Sequence, residues 1–136
     1  MATGLQEADG FAVSKPQSWH KCSQPNTVLR VAEDTLVVFS TFPDLETARR
    51  IGQVLVEEKL AACVNLIPQI ESIYRWEDKL ESSSEVLGLI KTTTWTYDQL
   101  EARIRCLHPY EVPEVIALRV QSGLPAYLNW IEQTMQ

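Results

Sequence analysis

Apolar residues recur along this chain with two different periods, and the switches between them mark the elements. Thr35–Thr41 (TLVVFST) is β-branched and aromatic, the pattern of a buried strand. Pro43 and Asp44 stop it, and Asp44 is placed to cap a helix. Apolar side chains then fall at Leu45, Ala48, Ile51, Gly52, Leu55 and Val56, one face of a helix running to about Leu60. Ala62–Trp76 reads as a long strand with Val64, Leu66 and Ile70 on one alternating face and Pro68 at an edge or bulge. After a turn at Glu77-Asp78-Lys79, Leu80–Thr93 returns as the second half of a hairpin.

Thr96-x-x-Gln99 has the form of a capping box, and Tyr97, Leu100, Ile104 and Leu107 give the helix that follows its buried stripe. His108-Pro109 ends that helix, because a residue before proline avoids helical backbone. Glu114–Val120 predicts a fourth strand, and Pro125–Gln136 a short helix after Gly123. The order β-α-β-β-α-β-α specifies an α+β fold: a ferredoxin-like sandwich with a long β2–β3 hairpin and a C-terminal helix.

The hairpin is too long for its domain. Ala62–Tyr74 would extend ~43 Å, against a radius of gyration of about 13 Å for a domain near 100 residues. An overhanging arm carrying Ile70, Ile73, Tyr74 and Trp76 leaves apolar surface and strand edges to be covered. A closed homo-oligomer covers them with sister chains, and an arm bent back onto its own helices is the alternative.

Charge and composition narrow the function. Twelve Lys+Arg against 18 Asp+Glu leave a net charge of −6, which argues against a nucleic-acid partner. Apolar runs of about four or five residues are too short to span a membrane. Three cysteines at irregular spacing suit a reducing compartment, and a cytoplasmic protein is expected. Residues 1–33 carry no sustained period. They read as a partly flexible extension with at most a short strand at Thr27–Val31, and 34–136 as the folded domain. His20 and Cys22 are two metal-binding side chain types, too few to close a site.

Several blocks in fixed order also resemble a known family. Ser40-Thr41-Phe42-Pro43, Lys59-Leu60-Ala61-Ala62-Cys63-Val64-Asn65, Ile67-Pro68, Tyr74-x-Trp76-x-x-Lys79-Leu80-Glu81, Glu85-Val86, Lys91-Thr92-Thr93, His108-Pro109-Tyr110-Glu111-Val112-Pro113-Glu114 and Tyr127-Leu128-x-Trp130 look like the CutA divalent-cation tolerance family, over Thr35–Gln133. The resemblance implies a ferredoxin-like subunit in a tight homotrimer, linked to divalent-metal tolerance, with copper(II) or another divalent cation as a candidate ligand and no cofactor required. The architecture is also similar to trimeric PII signalling proteins, which bind small ligands between subunits. That likeness implies the alternative of a sensor or scaffold for an anionic small ligand or a protein partner.

Candidate residues follow from these blocks. The copper pattern of bacterial members implies a first-strand cysteine and a His pair, but here the positions read Ser40 and Leu107-His108. His108 remains as the one metal candidate, with a structural helix-end role as its alternative. Tyr74, Trp76, Lys91, Tyr110, Glu114, Tyr127 and Trp130 form a candidate ligand cleft or subunit interface, with Lys91 and Glu114 as a candidate ion pair. No enzyme is expected. Ser82-Ser83-Ser84 lacks a nucleophile elbow, no glycine-rich phosphate loop is present, and His108 with Glu114 has no nucleophile beside it. Gly88 interrupts an apolar strand run without a reason visible in the sequence.

Overall fold

The computed structural model describes residues 34–136. The expected strand at Thr27–Val31 and the His20/Cys22 pair lie outside the described residues. The elements run β1 (Thr35–Phe42), α1 (Leu45–Glu57), β2 (Cys63–Trp76), β3 (Lys79–Thr93), α2 (Tyr97–Leu107), β4 (Ile116–Arg119) and α3 (Pro125–Thr134). The four strands form one antiparallel sheet in the order β2-β3-β1-β4, the ferredoxin-like arrangement predicted by the pattern.

Helix α1 begins as its sequence dictates. The Asp44 carboxylate accepts from the Thr47 amide at 2.7 Å, and that bond holds its pKa below the ordinary value. Ala48, Ile51 and Leu55 are buried against Leu36, Val38, Phe42, Val86 and Ile90 of the sheet and Leu100 and Ile104 of α2, which together make the main core. Glu58, at the end of α1, takes a two-pronged bond from Arg103 of α2 at 2.8–3.2 Å. Helix α2 starts differently from expectation. Thr96 makes no side-chain cap bond; its hydroxyl meets that of Thr93 at 3.0 Å instead. The fourth strand is also shorter than Glu114–Val120, four residues long.

The β2–β3 ribbon contains one irregularity with a large effect. Ile67 pairs with Leu87, but the next pair is Ile70 with Glu85, so one extra residue sits in β2 at Pro68-Gln69, where Gln69 takes φ 60. The even-numbered residues beyond it move to the other face of the sheet. Ile70 therefore does not share a face with Val64 and Leu66, and Tyr74 and Trp76 join the face of Glu85. The turn is tighter than expected: Trp76 pairs directly with Lys79, and Glu77 and Asp78 both have positive φ, as a two-residue hairpin turn requires.

Pairing of β1 to β3 ends at Phe42–Val86. From Ile70–Glu85 to Trp76–Lys79 the two strands pair, among the described residues, only with each other, so the arm projects roughly 20 Å beyond the sheet. The sheet face away from α1 and α2 is covered at one end by α3, where Thr35, Thr93 and Cys63 are buried. Past that end Val37, Phe39, Leu87 and Leu89 are half-buried, and Ile67, Ile116 and Leu118 are exposed.

Candidate functional site

The predicted site residues separate into two groups at opposite ends of the sheet. Toward the arm, Tyr74 and Trp76 of β2, Glu81 and Glu85 of β3, and Tyr110, Glu111 and Glu114 of the segment after α2 line a cleft of about 730 Å³. The Pro68-Gln69 bulge is what brings the two β2 aromatics to the face of Glu85. Three side chains absent from the sequence expectation shape this cleft: Glu81, Glu85 and Glu111. Glu85 was legible only from the bulged register, because the unbulged alternation places Tyr74 on the opposite face.

One wall is fixed by a chain of contacts. The helical amide of His108 donates to the Ile104 carbonyl, and Pro109 prevents a further turn. The buried His108 ring lies on Phe42 at 5.3 Å between centroids and against the Tyr110 ring at 4.7 Å. Its Nε2 sits 2.8 Å from the Thr41 carbonyl oxygen, and its Nδ1 accepts from the Tyr110 amide at 3.1 Å. A carbonyl oxygen only accepts, so Nε2 carries the hydrogen and the Nδ1 lone pair is engaged. The Tyr110 hydroxyl in turn donates to Glu85 Oε2 at 2.8 Å. Burial, reinforced by Glu85, pushes the Tyr110 phenol up to about 12.

At the other end, Lys91 donates to Asn65 Oδ1, which also accepts from the Cys63 thiol. Tyr127 and Trp130 stack at 5.6 Å and pack around Ala62, Ile131 and Met135. Burial raises the Tyr127 phenol. Within one subunit Lys91 thus partners Asn65, while Glu114 lines the arm cleft.

The fit for a metal within one subunit is poor. Both imidazole nitrogens of His108 already have partners, and among the described residues no three His, Cys, Asp or Glu side chains converge as a metal cluster. Ser40, where the copper pattern implies a cysteine, is fully buried, and among the described residues its hydroxyl has no hydrogen-bond partner. Among the described residues no helix is long and apolar enough to cross a membrane.

The sequence model of the family described as CutA1 divalent ion tolerance protein matches residues 36–134. The chain is 47% identical over 97 residues to the divalent-cation tolerance protein CutA of Thermus thermophilus, covering 71% of this chain and 94% of that protein. It is 51% identical over 98 residues to Protein CutA of Mus musculus, covering 72% of this chain and 55% of that protein, so it spans about half the length of this mammalian relative. The crystal structure of CutA from Xylella fastidiosa matches with a TM-score of 0.74 at 46% identity, over 76% of this chain and 99% of that one. The chain belongs to the CutA1 divalent ion tolerance family.

Proposed function

We propose that this protein is a non-enzymatic homotrimer of the divalent-metal tolerance response, placed in the cytoplasm, with copper(II) or another divalent cation as its partner. The observation that carries the assembly is the uncovered sheet face. Ile67 is 43% exposed, Ile116 52% and Leu118 54%, and they adjoin the half-buried Val37, Phe39, Leu87 and Leu89. Among the described residues the outer edge of β2 also has no strand beside it. A contiguous apolar face next to a bare fourteen-residue edge is an association surface. A closed ring of copies buries the face and pairs the edge at once, and three copies is the number the family resemblance implies.

The metal part of the reading rests on family membership, since His108 is committed elsewhere. Its ligands are therefore sought between copies. A second reading, a trimeric sensor or scaffold that binds a small ligand or a protein partner, is supported by the aromatic cleft beside the arm. Native mass spectrometry of the full chain, alone and after copper(II) addition, tests the proposal. A trimer mass with metal in integral stoichiometry is expected. A monomer at micromolar concentration overturns the assembly, and a trimer that takes up no copper(II), zinc(II) or other divalent ion overturns the metal role. Leu118→Asp, which places a charge on the open face, is expected to shift the trimer toward monomer.

A further inference from the structure

We infer that His108 is an acid-operated latch: a proton gained on its Nδ1 drives the segment 109–114 away from the end of β1 and frees Glu85 from Tyr110. The inference concerns one subunit and stands apart from the trimer and metal readings.

The latch follows from how the two ring nitrogens are used. Nε2 already carries its hydrogen and donates to the Thr41 carbonyl at 2.8 Å, so an added proton has only Nδ1 to go to. The Nδ1 lone pair receives the Tyr110 amide at 3.1 Å. A proton there turns the acceptor into a second donor, and two N–H groups then face each other. The ring is 7% exposed, so water does not solvate an imidazolium in place, and an added subunit only deepens that burial. The proton and the Tyr110 amide therefore exclude one another.

The ring is the better-anchored side of this contact. It lies on Phe42, donates to Thr41, and its own amide closes the last turn of α2. The segment after Pro109 is neither helix nor strand until Ile116. Among the described residues, its hydrogen bonds to the rest of the fold run through Tyr110, by the amide to His108 and by the hydroxyl to Glu85. Protonation removes the first, and movement of Tyr110 breaks the second.

The charged groups around the ring set the sign. Glu85 of β3 holds the Tyr110 hydroxyl, and Asp44, at the start of α1 just beyond Phe42, acts on the same phenol, as does Tyr74 of β2. Glu111 lies on the segment itself, and His108 caps the carbonyl end of α2. Arg105, in the last turn of α2, is the opposing cation and is exposed. From β1 the ring meets only Thr41 and Phe42, neither of which titrates. The carboxylates and the helix end favour a charged ring that the closed contact forbids, so proton uptake and opening are one event. The open state binds one more proton than the closed state, and its population rises as the pH falls, by at most about tenfold per pH unit.

Amide hydrogen exchange of the full chain, corrected for the intrinsic pH dependence of exchange, tests the latch. Between pH 7.5 and pH 5.5, protection over residues 110–114 is expected to fall about tenfold or more, while Ile51 and Leu55 in the core keep theirs. His108→Asn retains an acceptor for the Tyr110 amide and takes up no proton in this range, so its segment should not respond to acid. Nitrogen NMR of the parent's His108 ring is the second measurement should that variant fold poorly, and Nδ1 is expected to gain its proton in step with the loss of protection. Protection that is unchanged down to pH 5, or lost together with the core, overturns the inference. So does a ring that takes its proton while the Tyr110 amide stays protected, and so does an acid response that persists in folded His108→Asn, which would assign the proton to a carboxylate.

Discussion

A β-carbon on Gly88 would stand 2.9 Å from Cε2 of Phe42. Gly88 faces Ser40 across the β1–β3 pair, and the Phe42 ring, 1% exposed, occupies the space a side chain would take. The weak strand preference of glycine is thus offset by the room it leaves for a large core ring. Gly88→Ala is expected to destabilise the fold by about 1–3 kcal/mol through overpacking, measured by urea unfolding. Combining it with Phe42→Leu should cost less than the sum of the two single changes. An alanine variant as stable as the parent would show that the ring moves aside freely.

Ser40 offers the opposite sign. Its hydroxyl is buried with no partner among the described residues, while the backbone of β1 keeps its ladder. Ser40→Ala removes the orphan group and leaves almost the same volume. A gain of about 1 kcal/mol in unfolding free energy is expected. A loss of that size would mean that the hydroxyl has a partner, most simply a buried water.

The contrast between two helix starts explains what was readable from the sequence. Asp44 was legible because its cap is local: the acceptor and the Thr47 amide are three residues apart. Thr96 fits the same local rule, yet its hydroxyl turns to Thr93, a partner set by how β3 enters the helix. The order of elements was legible because each has a sustained period. The face of Ile70 was not, since a single bulge residue inverts the alternation beyond it. The candidate residues divide within one subunit for a related reason. Lys91, Tyr127 and Trp130 belong to blocks of the same family pattern as Tyr74 and Trp76, but the register places them at the far end of the sheet. Adjacency of motifs along a chain carries no information about which end of a strand they occupy.

His108 is expected to behave as a structural side chain. His108→Ala would lose a buried ring, its bond to the Thr41 carbonyl and its acceptance from the Tyr110 amide. The expected cost is about 2–4 kcal/mol. Copper(II) uptake per folded subunit should stay unchanged, because neither nitrogen is free to coordinate. A variant that loses one metal ion per subunit while keeping its thermal midpoint would place the metal on this imidazole and exclude the two-bond arrangement.

The Tyr110–Glu85 bond has a pH signature. Tyr110 is held at about 12 in the folded chain, above the ordinary tyrosine value of 10.0 that applies once it unfolds. The folded state therefore keeps a proton that the unfolded state gives up. The stabilisation is fully present below pH 10 and is lost as the pH rises toward 12. Unfolding free energy measured across that window should fall more steeply in the parent than in Tyr110→Phe. Absorbance titration of the folded protein should show a late phenolate component that Tyr110→Phe removes. Glu85→Gln should bring that component to lower pH, because the neighbouring carboxylate holds it up. If the late component survives in Tyr110→Phe, it belongs to Tyr97 or Tyr127, whose phenols burial also raises, and the hydroxyl of Tyr110 is then not held by Glu85 in solution.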